Sequence, residues 1–597
     1  MVYRSNQEID YDALIQEAMG KVWNKVPKEF QTNVIKSTIS KQREGITSKP
    51  VLLVKGTGGG KSLVMQTIGV INAGVVIVIE NTLSLSADQA EKIRNASKSC
   101  GNISSIDLDQ VKKEEDKKAL SEVLVNLKEC THDTFFIFSS PETLLDSIWI
   151  ETVQKLVISK VLRLVCIDEV HQFVTFGCFF RYEFQELKSA LFQYIKDKVP
   201  ILFMTATFND EMKKNLIKMT GVSILPADIF WSGSSGMMRR CIEIKMSTNP
   251  MYISKMKDTL TNVFKDNENK KAIIYTNTAT QAMNLKEKLD EWLSAELPFE
   301  GDTVLVHGDL ESELKQAIIT SFTSEKSLAE CKRNKAIFPR ILIATSGSIG
   351  AGLDSDSIYL VIRVGFSPSI VALIQEMGRC GRGREPEGEN VDYFEMSVSL
   401  RDYIYMYERC HDLTEKEDGV MTVKDQVDDQ TKNLLLTLQL CVLNNGCWHQ
   451  YLERYAMNPT HDDIQEASKE KCRTACPYCN KAWCKLFLPI SRNGVTKILV
   501  TIFLRSGLTS ITPLELGEKI RDVNDFNKIL FNKKSKKNVA LYQIHGLIMQ
   551  LIASNIIELF IKDIEGNKLT YCALAFESNS YPAYTNDDHW KKLVLIE

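Results

Sequence analysis

The sequence lacks the features that would place the chain in a membrane or bind it to polyanions through bulk charge. No stretch reaches about 18 uninterrupted apolar residues, the length that a membrane-spanning helix needs. The first ten residues, MVYRSNQEID, contain no apolar core of a secretion signal. Because the formal net charge is −3, any nucleic-acid surface must be a local groove. We therefore expect an intracellular, non-membrane protein.

Apolar runs divide the chain into two strand-rich series. With 597 residues the chain is long enough for about three or four domains. The first series is VLLV, VVIVIE, DTFFIFSS, RLVCIDE and PILFMTAT, and the second, after residue 250, is KKAIIYTN, DTVLVHGD, RILIAT and SIYLVIRVG. Short apolar strands that alternate with helical stretches predict two successive parallel sheets wrapped by helices. Segment 325–340 is expected to form a loop or helix insertion, and helical periodicity dominates from about residue 413.

A glycine-rich segment, KGTGGGKS, directly follows the VLLV run. Glycine at 58, 59 and 60 would let backbone N–H groups close around phosphate oxygens, and the usual first glycine position holds Lys55. Lys61 would meet the β- and γ-phosphates, and Ser62 would meet magnesium. A flexible linker would not lie between two apolar runs with Lys-Ser at the junction. The segment predicts a nucleoside triphosphate site formed by Gly58, Gly59, Gly60, Lys61 and Ser62.

An acidic pair follows the apolar run RLVCI. Asp168 and Glu169 would lie at the carboxyl end of a strand, where ligands bind in open α/β sheets. Asp168 would hold magnesium, and Glu169 would orient the attacking water. Within DEVH, His171 is expected to connect the triphosphate site to the neighbouring domain.

The segment IQEMGRCGRGR carries the cations expected at the other side of that site. The spacing of Arg379 and Arg382 predicts that one helical face projects both guanidiniums, with Gln375 in register. Together they would reach the γ-phosphate as arginine fingers do, a contribution of roughly 10³–10⁵ in rate.

Taken in order, these segments resemble the RecQ family of superfamily 2 DNA helicases over roughly residues 20 to 575. Gln31 in KEFQTNVI lies where that family keeps a glutamine that reads adenine, and ENTLSLSADQ and FIFSSPETLL match two further motifs. DEVHQFVTFGCFFRYEF resembles the family's aromatic-rich loop, although Phe176 replaces its tryptophan. The resemblance implies that His171, Phe176, Arg181, Thr205, Thr207 and Thr345 connect DNA binding to hydrolysis.

A cysteine cluster lies beyond the second sheet. Cys472, Cys476 and Cys479 form a C-x3-C-x2-C pattern, which suits a structural zinc site. Cys447 lies in a CWHQYL context that resembles the family's C-R-R-x-x-L and is the expected fourth ligand. The rival fourth ligands are Cys441, Cys484 and His449.

The resemblance implies an α/β fold with two tandem RecA-like parallel-sheet domains, a helical zinc-binding module and a winged-helix domain. We expect the first RecA-like domain at 1–228, the second at 229–412, the zinc module at 413–490 and the winged helix at 491–597. The last segment contains a basic run at 533–537 that could neutralise DNA phosphates.

The implied function is an ATP-dependent DNA helicase that moves 3′ to 5′ on single-stranded DNA and unwinds forked duplex DNA. Its cofactors would be ATP, Mg²⁺ and Zn²⁺, and a eukaryotic member would be nuclear. Three alternatives stay open. These are a DNA-stimulated translocase or annealing motor that separates no strands, a non-catalytic DNA-binding scaffold, and an RNA helicase.

Overall fold

The computed structural model shows two parallel β-sheets enclosed by helices, followed by further helices and a β-hairpin. Among the residues it describes, no helix is long and apolar enough to cross a membrane. The structure describes residues 10–43, 50–56, 59–80, 89–95, 102–128, 132–171, 186–231, 242–248, 252–265, 267–294, 300–324, 326–349, 353, 355–382, 392–411, 423–443, 446–457, 472, 476–480, 499, 502, 510–522, 541–564 and 567–574.

The first sheet has seven parallel strands in the order β3-β4-β2-β5-β6-β1-β7. Its strands are β1 (Val51–Val54), β2 (Gly74–Ile79), β3 (Ile103–Asp107), β4 (Thr134–Ser139), β5 (Leu162–Ile167), β6 (Ile201–Thr205) and β7 (Ile229–Trp231). Its helices are α1 (Tyr11–Trp23), α2 (Glu29–Arg43), α3 (Lys61–Asn72), α4 (Glu114–Val125), α5 (Pro141–Leu144), α6 (Ser147–Ile158), α7 (Gln193–Ile195) and α8 (Asp210–Thr220). The predicted strands of this half are therefore all present.

Both faces of the first sheet are buried, which is why its strands are continuous apolar runs. In β1, Leu52 and Val54 pack into one hydrophobic cluster, and Val51 and Leu53 pack into another on the opposite face. This alternation follows from the two-residue period of a strand. It fixes the carboxyl end of β1, where the phosphate loop begins.

The second sheet has six parallel strands in the order β10-β11-β9-β12-β13-β8. Its strands are β8 (Ile242–Ser247), β9 (Lys271–Thr276), β10 (Asp302–Val306), β11 (Pro339–Thr345), β12 (Ile358–Val364) and β13 (Asp392–Ser397). Its helices are α9 (Tyr252–Phe264), α10 (Ala279–Leu293), α11 (Ser312–Thr323), α12 (Leu328–Arg333), α13 (Ile370–Met377) and α14 (Leu400–His411). The expected insertion at 325–340 contains α12, which Ser327 and Glu330 begin with a capping box.

The C-terminal part packs directly on the second sheet. It comprises α15 (Val423–Val442), α16 (Trp448–Met457), α17 (Pro513–Asp522), α18 (Leu541–Ala553) and the antiparallel pair β14 (Ile557–Ile564) and β15 (Asn567–Leu574). A bridge between Ile511 and Cys572 adds a third antiparallel segment to the hairpin. One hydrophobic cluster runs from the second sheet through Leu438 and Leu452 to Ile548. The hairpin therefore packs against helices that share one hydrophobic cluster with the second sheet.

One predicted boundary is wrong. Strand β7 starts at residue 229, where we expected the second domain to begin, yet it pairs with β1 in the first sheet. The run IFW is too short to stand out from its surroundings in the sequence. Strands β3, β8 and β13 were also missed, because polar residues interrupt their apolar pattern.

Candidate nucleotide site and cysteine cluster

The phosphate loop links β1 to α3 and depends on glycine at position 60. Gly60 precedes the first residue of α3 with φ of 92°, in the left-handed region that favours glycine. A Cβ on Gly60 would lie 2.8 Å from Nε2 of Gln31. Backbone conformation and available space therefore both require glycine here. Gly58 lies outside the described residues.

Gln31 is held against this loop. Its Oε1 accepts a hydrogen bond from the backbone N–H of Lys28 at 2.8 Å, and its Nε2 donates to the carbonyl of Gly60 at 2.9 Å. The side chain is buried, with 2% of its surface exposed. The expected glutamine is therefore adjacent to the phosphate loop, and its contact with adenine stays a prediction.

Lys61 and Ser62 occupy the first turn of α3, whose positive dipole end faces the loop. Nζ of Lys61 donates to the carbonyl of Lys55 at 3.0 Å. Nε2 of Gln89 donates to Oγ of Ser62 at 3.0 Å. No individual role was predicted for Gln89, although it ends ENTLSLSADQ, one of the segments that carry the resemblance.

The lysine at the usual first glycine position crosses the loop. A Cβ on Gly59 would lie 2.6 Å from Cγ of Lys55, and Nζ of Lys55 lies 4.9 Å from the centre of the Phe30 ring. Burial, together with the charges of Lys28 and Lys61, lowers the pKa of Lys55. Several positive charges therefore surround the site that is expected to bind a polyanion.

Asp168 and Glu169 follow β5 directly, as the sequence predicted. Burial and the charge of Glu169 raise the pKa of Asp168 to about 7. Burial would also raise the pKa of Glu169, but the Lys61 ammonium and nearby cations hold it below its ordinary value. Glu169 has φ of 49°, a left-handed conformation that is costly for a non-glycine residue and typical of functional sites. The pair thus divides into a carboxyl group that binds protons readily and a carboxylate that stays charged.

His171 connects the acidic pair to both sheets. Its Nδ1 lies 3.2 Å from Oε2 of Glu169 and 3.0 Å from Oγ1 of Thr205, and its Nε2 contacts the side-chain nitrogen of Gln375. An amide nitrogen only donates, so Nε2 accepts and Nδ1 carries the proton. Oγ1 of Thr205 in turn donates to the carbonyl of Thr207 at 2.9 Å. One hydrogen-bonded chain therefore runs from Gln375, beside the second sheet, to residues 205–207 of the first sheet, the TAT segment.

This series of hydrogen bonds requires a neutral imidazole at His171. Burial lowers the pKa of His171 to about 4, although the Glu169 carboxylate acts in the opposite direction. At neutral pH, Nε2 of His171 is therefore free of a proton and can accept the hydrogen bond from Gln375.

Arg379 and Arg382 are buried in the same region, but not on a helix. Helix α13 ends at Met377, and both arginines lie in the turns that follow, so the predicted shared helical face is wrong. The glycines around them favour ending the helix. Nη1 of Arg379 donates to the carbonyl of Leu353 at 3.1 Å, and Nε of Arg382 donates to a preceding carbonyl at 3.2 Å. Both guanidiniums help to lower the pKa of Glu169, which places them near the acidic pair.

Cys447, Cys472, Cys476 and Cys479 come together although the first lies 25 residues upstream of the second. Their sulfur atoms all lie within 4.8 Å of one another, and those of Cys447 and Cys476 are 3.9 Å apart. Four thiolates at 2.3 Å from a tetrahedral zinc ion would be about 3.8 Å apart. The cluster therefore fits the zinc ion that the sequence suggested.

The rival ligands can now be compared. The thiol of Cys441 is buried and faces the sulfur of Met396 at 3.9 Å, outside the cluster. His449 is buried beside the cluster, and although burial lowers its pKa, the neighbouring Cys447 and Cys476 sulfur groups outweigh that effect and raise the pKa to about 9. Cys484 lies outside the described residues. Cys447 is thus the favoured fourth ligand, with His449 as its neighbour.

Comparison with known proteins gives two family matches. Residues 28–215 match the DEAD/DEAH box helicase family, and residues 254–384 match the helicase conserved C-terminal domain. The chain is 26% identical to the ATP-dependent DNA helicase hus2/rqh1 of Schizosaccharomyces pombe over 455 residues, 73% of this chain and 29% of that protein. It is 25% identical to the ATP-dependent DNA helicase RecQ of Bacillus subtilis over 326 residues, 55% of this chain and 48% of that protein.

A third relative is the ATP-dependent DNA helicase Q-like 2 of Arabidopsis thaliana, 20% identical over 80% of this chain and 59% of that protein. The two helicase domains and these RecQ-named relatives support a RecQ-family helicase of superfamily 2. It spans between 29% and 59% of the length of these three RecQ-type relatives.

The residues predicted to contact DNA lie only partly within the described part of the chain. Phe176 and Arg181, in the aromatic-rich loop, lie outside the described residues, as does the basic run at 533–537. Thr345 ends β11 and is buried, with its carbonyl accepting from Oγ of Ser348 at 2.7 Å. Its predicted role in binding DNA stays a prediction.

Proposed function

We propose that this chain is an ATP-dependent DNA helicase, a motor that uses ATP hydrolysis to move along and separate DNA strands. The observation that carries the proposal is the contact between His171 and Gln375, which joins the acidic pair of the first sheet to the second sheet. A motor needs such a contact, because hydrolysis on one sheet must change the position of the other. The names of the RecQ-type relatives support DNA as the substrate.

The residues around the phosphate loop suit the division of labour that phosphoryl transfer requires. Lys61 is placed to neutralise the β- and γ-phosphates, and the oxygens of Ser62 and Asp168 suit magnesium. Bound magnesium would supply charge stabilisation for the transferring phosphoryl group. Glu169 stays charged at neutral pH and can hold and deprotonate the attacking water.

Arg379 and Arg382 would complete the site from the second sheet. Both are buried, and both help to lower the pKa of Glu169, so a γ-phosphate beside Glu169 would feel the same positive charge. Their position beyond the end of α13 leaves their backbone free of helical constraint. A small movement between the sheets would therefore change their distance from the phosphate.

Any displacement of the TAT segment during hydrolysis would be transmitted to the C-terminal part. Thr205 and Thr207 belong to the hydrogen-bonded chain through His171, and the next residue, Phe208, donates its backbone N–H to the carbonyl of Ala456 at 2.7 Å. Ala456 lies on α16, which follows Cys447 directly. A structural zinc ion held by the four cysteines would fix the start of that helix.

The C-terminal helices and hairpin support a winged-helix module that holds duplex DNA. Helices α17 and α18 precede the hairpin β14–β15, and the bridge from Ile511 to Cys572 gives the small three-stranded arrangement of such a module. With duplex held there and a single strand between the two sheets, forked DNA is the expected substrate. Movement in the 3′ to 5′ direction follows from the family resemblance.

A translocase that separates no strands is the second candidate. The last described pairs of the hairpin, Asp563 with Lys568 and Ile564 with Asn567, carry no aromatic side chain to insert between base pairs. Phe560 and Tyr571 face each other across the hairpin further from its end, with ring centres 6.3 Å apart. This placement favours a motor whose unwinding is weaker than its hydrolysis.

The deciding experiment combines hydrolysis and unwinding on matched substrates. ATP turnover would be measured with single-stranded DNA, and strand separation on forks with either a 3′ or a 5′ single-stranded arm, with Lys61→Ala as the control. The proposal expects DNA-stimulated turnover and unwinding only when a 3′ arm is present. Stimulated turnover without unwinding would favour the translocase, and DNA binding without turnover would refute an enzymatic role.

A further inference from the structure

Strand β12 carries a fully buried arginine that neither the sequence motifs nor the nucleotide site explains. Arg363 has 0% of its surface exposed and lies one residue before the end of the strand. Burying a guanidinium is costly unless ion pairing and hydrogen bonds compensate. The partners that compensate for this burial all come from segments at the carboxyl edge of the second sheet.

Arg363 contacts three of these segments at once. Its Nη1 donates to Oγ of Ser346 at 2.6 Å and to the carbonyl of Thr276 at 3.3 Å, and lies 3.4 Å from Oε1 of Glu376. Its Nη2 donates to the side-chain oxygen of Asn277 and to a carbonyl of the following turn. One planar fork therefore fixes the ends of β9 and β11 relative to α13.

Glu376, the acidic partner of Arg363, completes this hydrogen-bond network. Glu376 is 4% exposed, and its Oε1 also accepts from Oγ of Ser346 at 2.9 Å. It follows Gln375 directly, the residue that contacts His171 across the two sheets. Ser346 follows Thr345 directly, in a loop that we predict lies against DNA. The ion pair thus joins the loop after β11, which is expected to face DNA, and the end of the neighbouring strand β9 to the helix that reaches the nucleotide site.

We propose that Arg363 is a positioning residue that transmits DNA binding at the ends of β9 and β11 to Gln375 and the arginines beyond α13. This inference rests on the proposed function and names the physical connection within it. A guanidinium suits this role because its donors have a fixed planar geometry, so displacement of one partner displaces the others. A lysine at 363 would keep the charge and lose the simultaneous contacts.

Arg340 provides a matched control. It is also buried in the second sheet, at 2% exposure, but lies at the start of β11, on the opposite edge. Its guanidinium donates to backbone carbonyls of Lys270, Glu300 and Asn267 at 2.8 to 3.1 Å. Changing Arg340 to Lys tests the cost of losing a buried guanidinium without disturbing the loops near the nucleotide site.

The test compares Arg363→Lys, Arg363→Met and Ser346→Ala with Arg340→Lys and the unchanged chain. For each, ATP turnover is measured without DNA and across a titration of single-stranded DNA, and thermal unfolding is recorded. Arg363→Lys should lower the ratio of DNA-stimulated to basal turnover by at least about fivefold, the lower range of coupling between sites. Ser346→Ala should change the ratio in the same direction, because it removes the hydroxyl that bridges the ion pair and leaves both charges.

The outcomes separate the role of Arg363 from the proposed function. Loss of stimulation in Arg363→Lys but not in Arg340→Lys, at similar unfolding temperatures, supports the proposal. Equal stimulation in Arg363→Lys and the unchanged chain overturns it, whatever becomes of the Met variant. If the unchanged chain hydrolyses ATP without any response to DNA, the proposed function fails and this inference fails with it.

Discussion

Replacing Gln375 by Ala should uncouple the two sheets without unfolding either of them. The change removes the hydrogen bond to Nε2 of His171, and a hydrogen bond between neutral groups contributes about 0.5–1.5 kcal/mol. It also leaves a buried imidazole nitrogen without a partner when the sheets close, at about 1–3 kcal/mol. Because about 1.4 kcal/mol is a tenfold change, the cost of about 1–3 kcal/mol for the unpaired nitrogen should lower DNA-stimulated turnover roughly 5- to 150-fold.

A double-mutant cycle isolates this contact. Turnover at saturating ATP and DNA is measured for Gln375→Ala, His171→Ala and the double variant, with far-ultraviolet circular dichroism to confirm folding. Since the two side chains act through one bond, the effects should be non-additive by about 0.5–3 kcal/mol. Additivity within about 0.5 kcal/mol would show that the contact between Gln375 and His171 does not couple the two sheets during catalysis.

Three further results are expected. Gly60→Ala and Gly446→Ala should each lose about 1–2 kcal/mol of unfolding free energy, because both glycines have a left-handed backbone conformation. Only Gly60→Ala should also weaken ATP binding, measured by titration calorimetry, because only at position 60 would the added Cβ meet another residue. Equal ATP binding by both variants would contradict the assignment of residues 58–62 as a phosphate-binding loop. Cys476→Ser should lose zinc measured by emission spectroscopy while Cys441→Ser keeps it, and unchanged metal in the first variant would rule out the cluster as the metal site. Glu169→Gln should bind ATP but turn it over at least about 100-fold more slowly, as expected when a catalytic proton acceptor is lost, and normal turnover would refute its role.

The sequence was most informative where a local pattern determines local structure. The strand before Lys61 and the strand before Asp168 were predictable, because an apolar run buried on both faces of a parallel sheet leaves few alternatives. The cysteine cluster was predictable for a similar reason, since three thiols within eight residues are already close in space.

The sequence was least informative where partners are distant along the chain. Arg363 lies in an apolar strand with no motif around it, and its contacts with Thr276 and Glu376 depend on the order of strands in the sheet. The error at Arg379 and Arg382 has another cause. Three-residue spacing suits a helix, but α13 ends at Met377, with the poor helix former Gly378 as its C-cap residue, before either arginine is reached.

Steady-state ATP hydrolysis by the purified chain and its Lys61→Ala variant would show whether this chain is a DNA-dependent motor. Each would be assayed alone, with single-stranded DNA and with RNA of the same sequence. A DNA-dependent motor should show strong stimulation of the unchanged chain by DNA, little by RNA, and no turnover by the variant. Stimulation by RNA alone, or equal turnover by the variant, would contradict it.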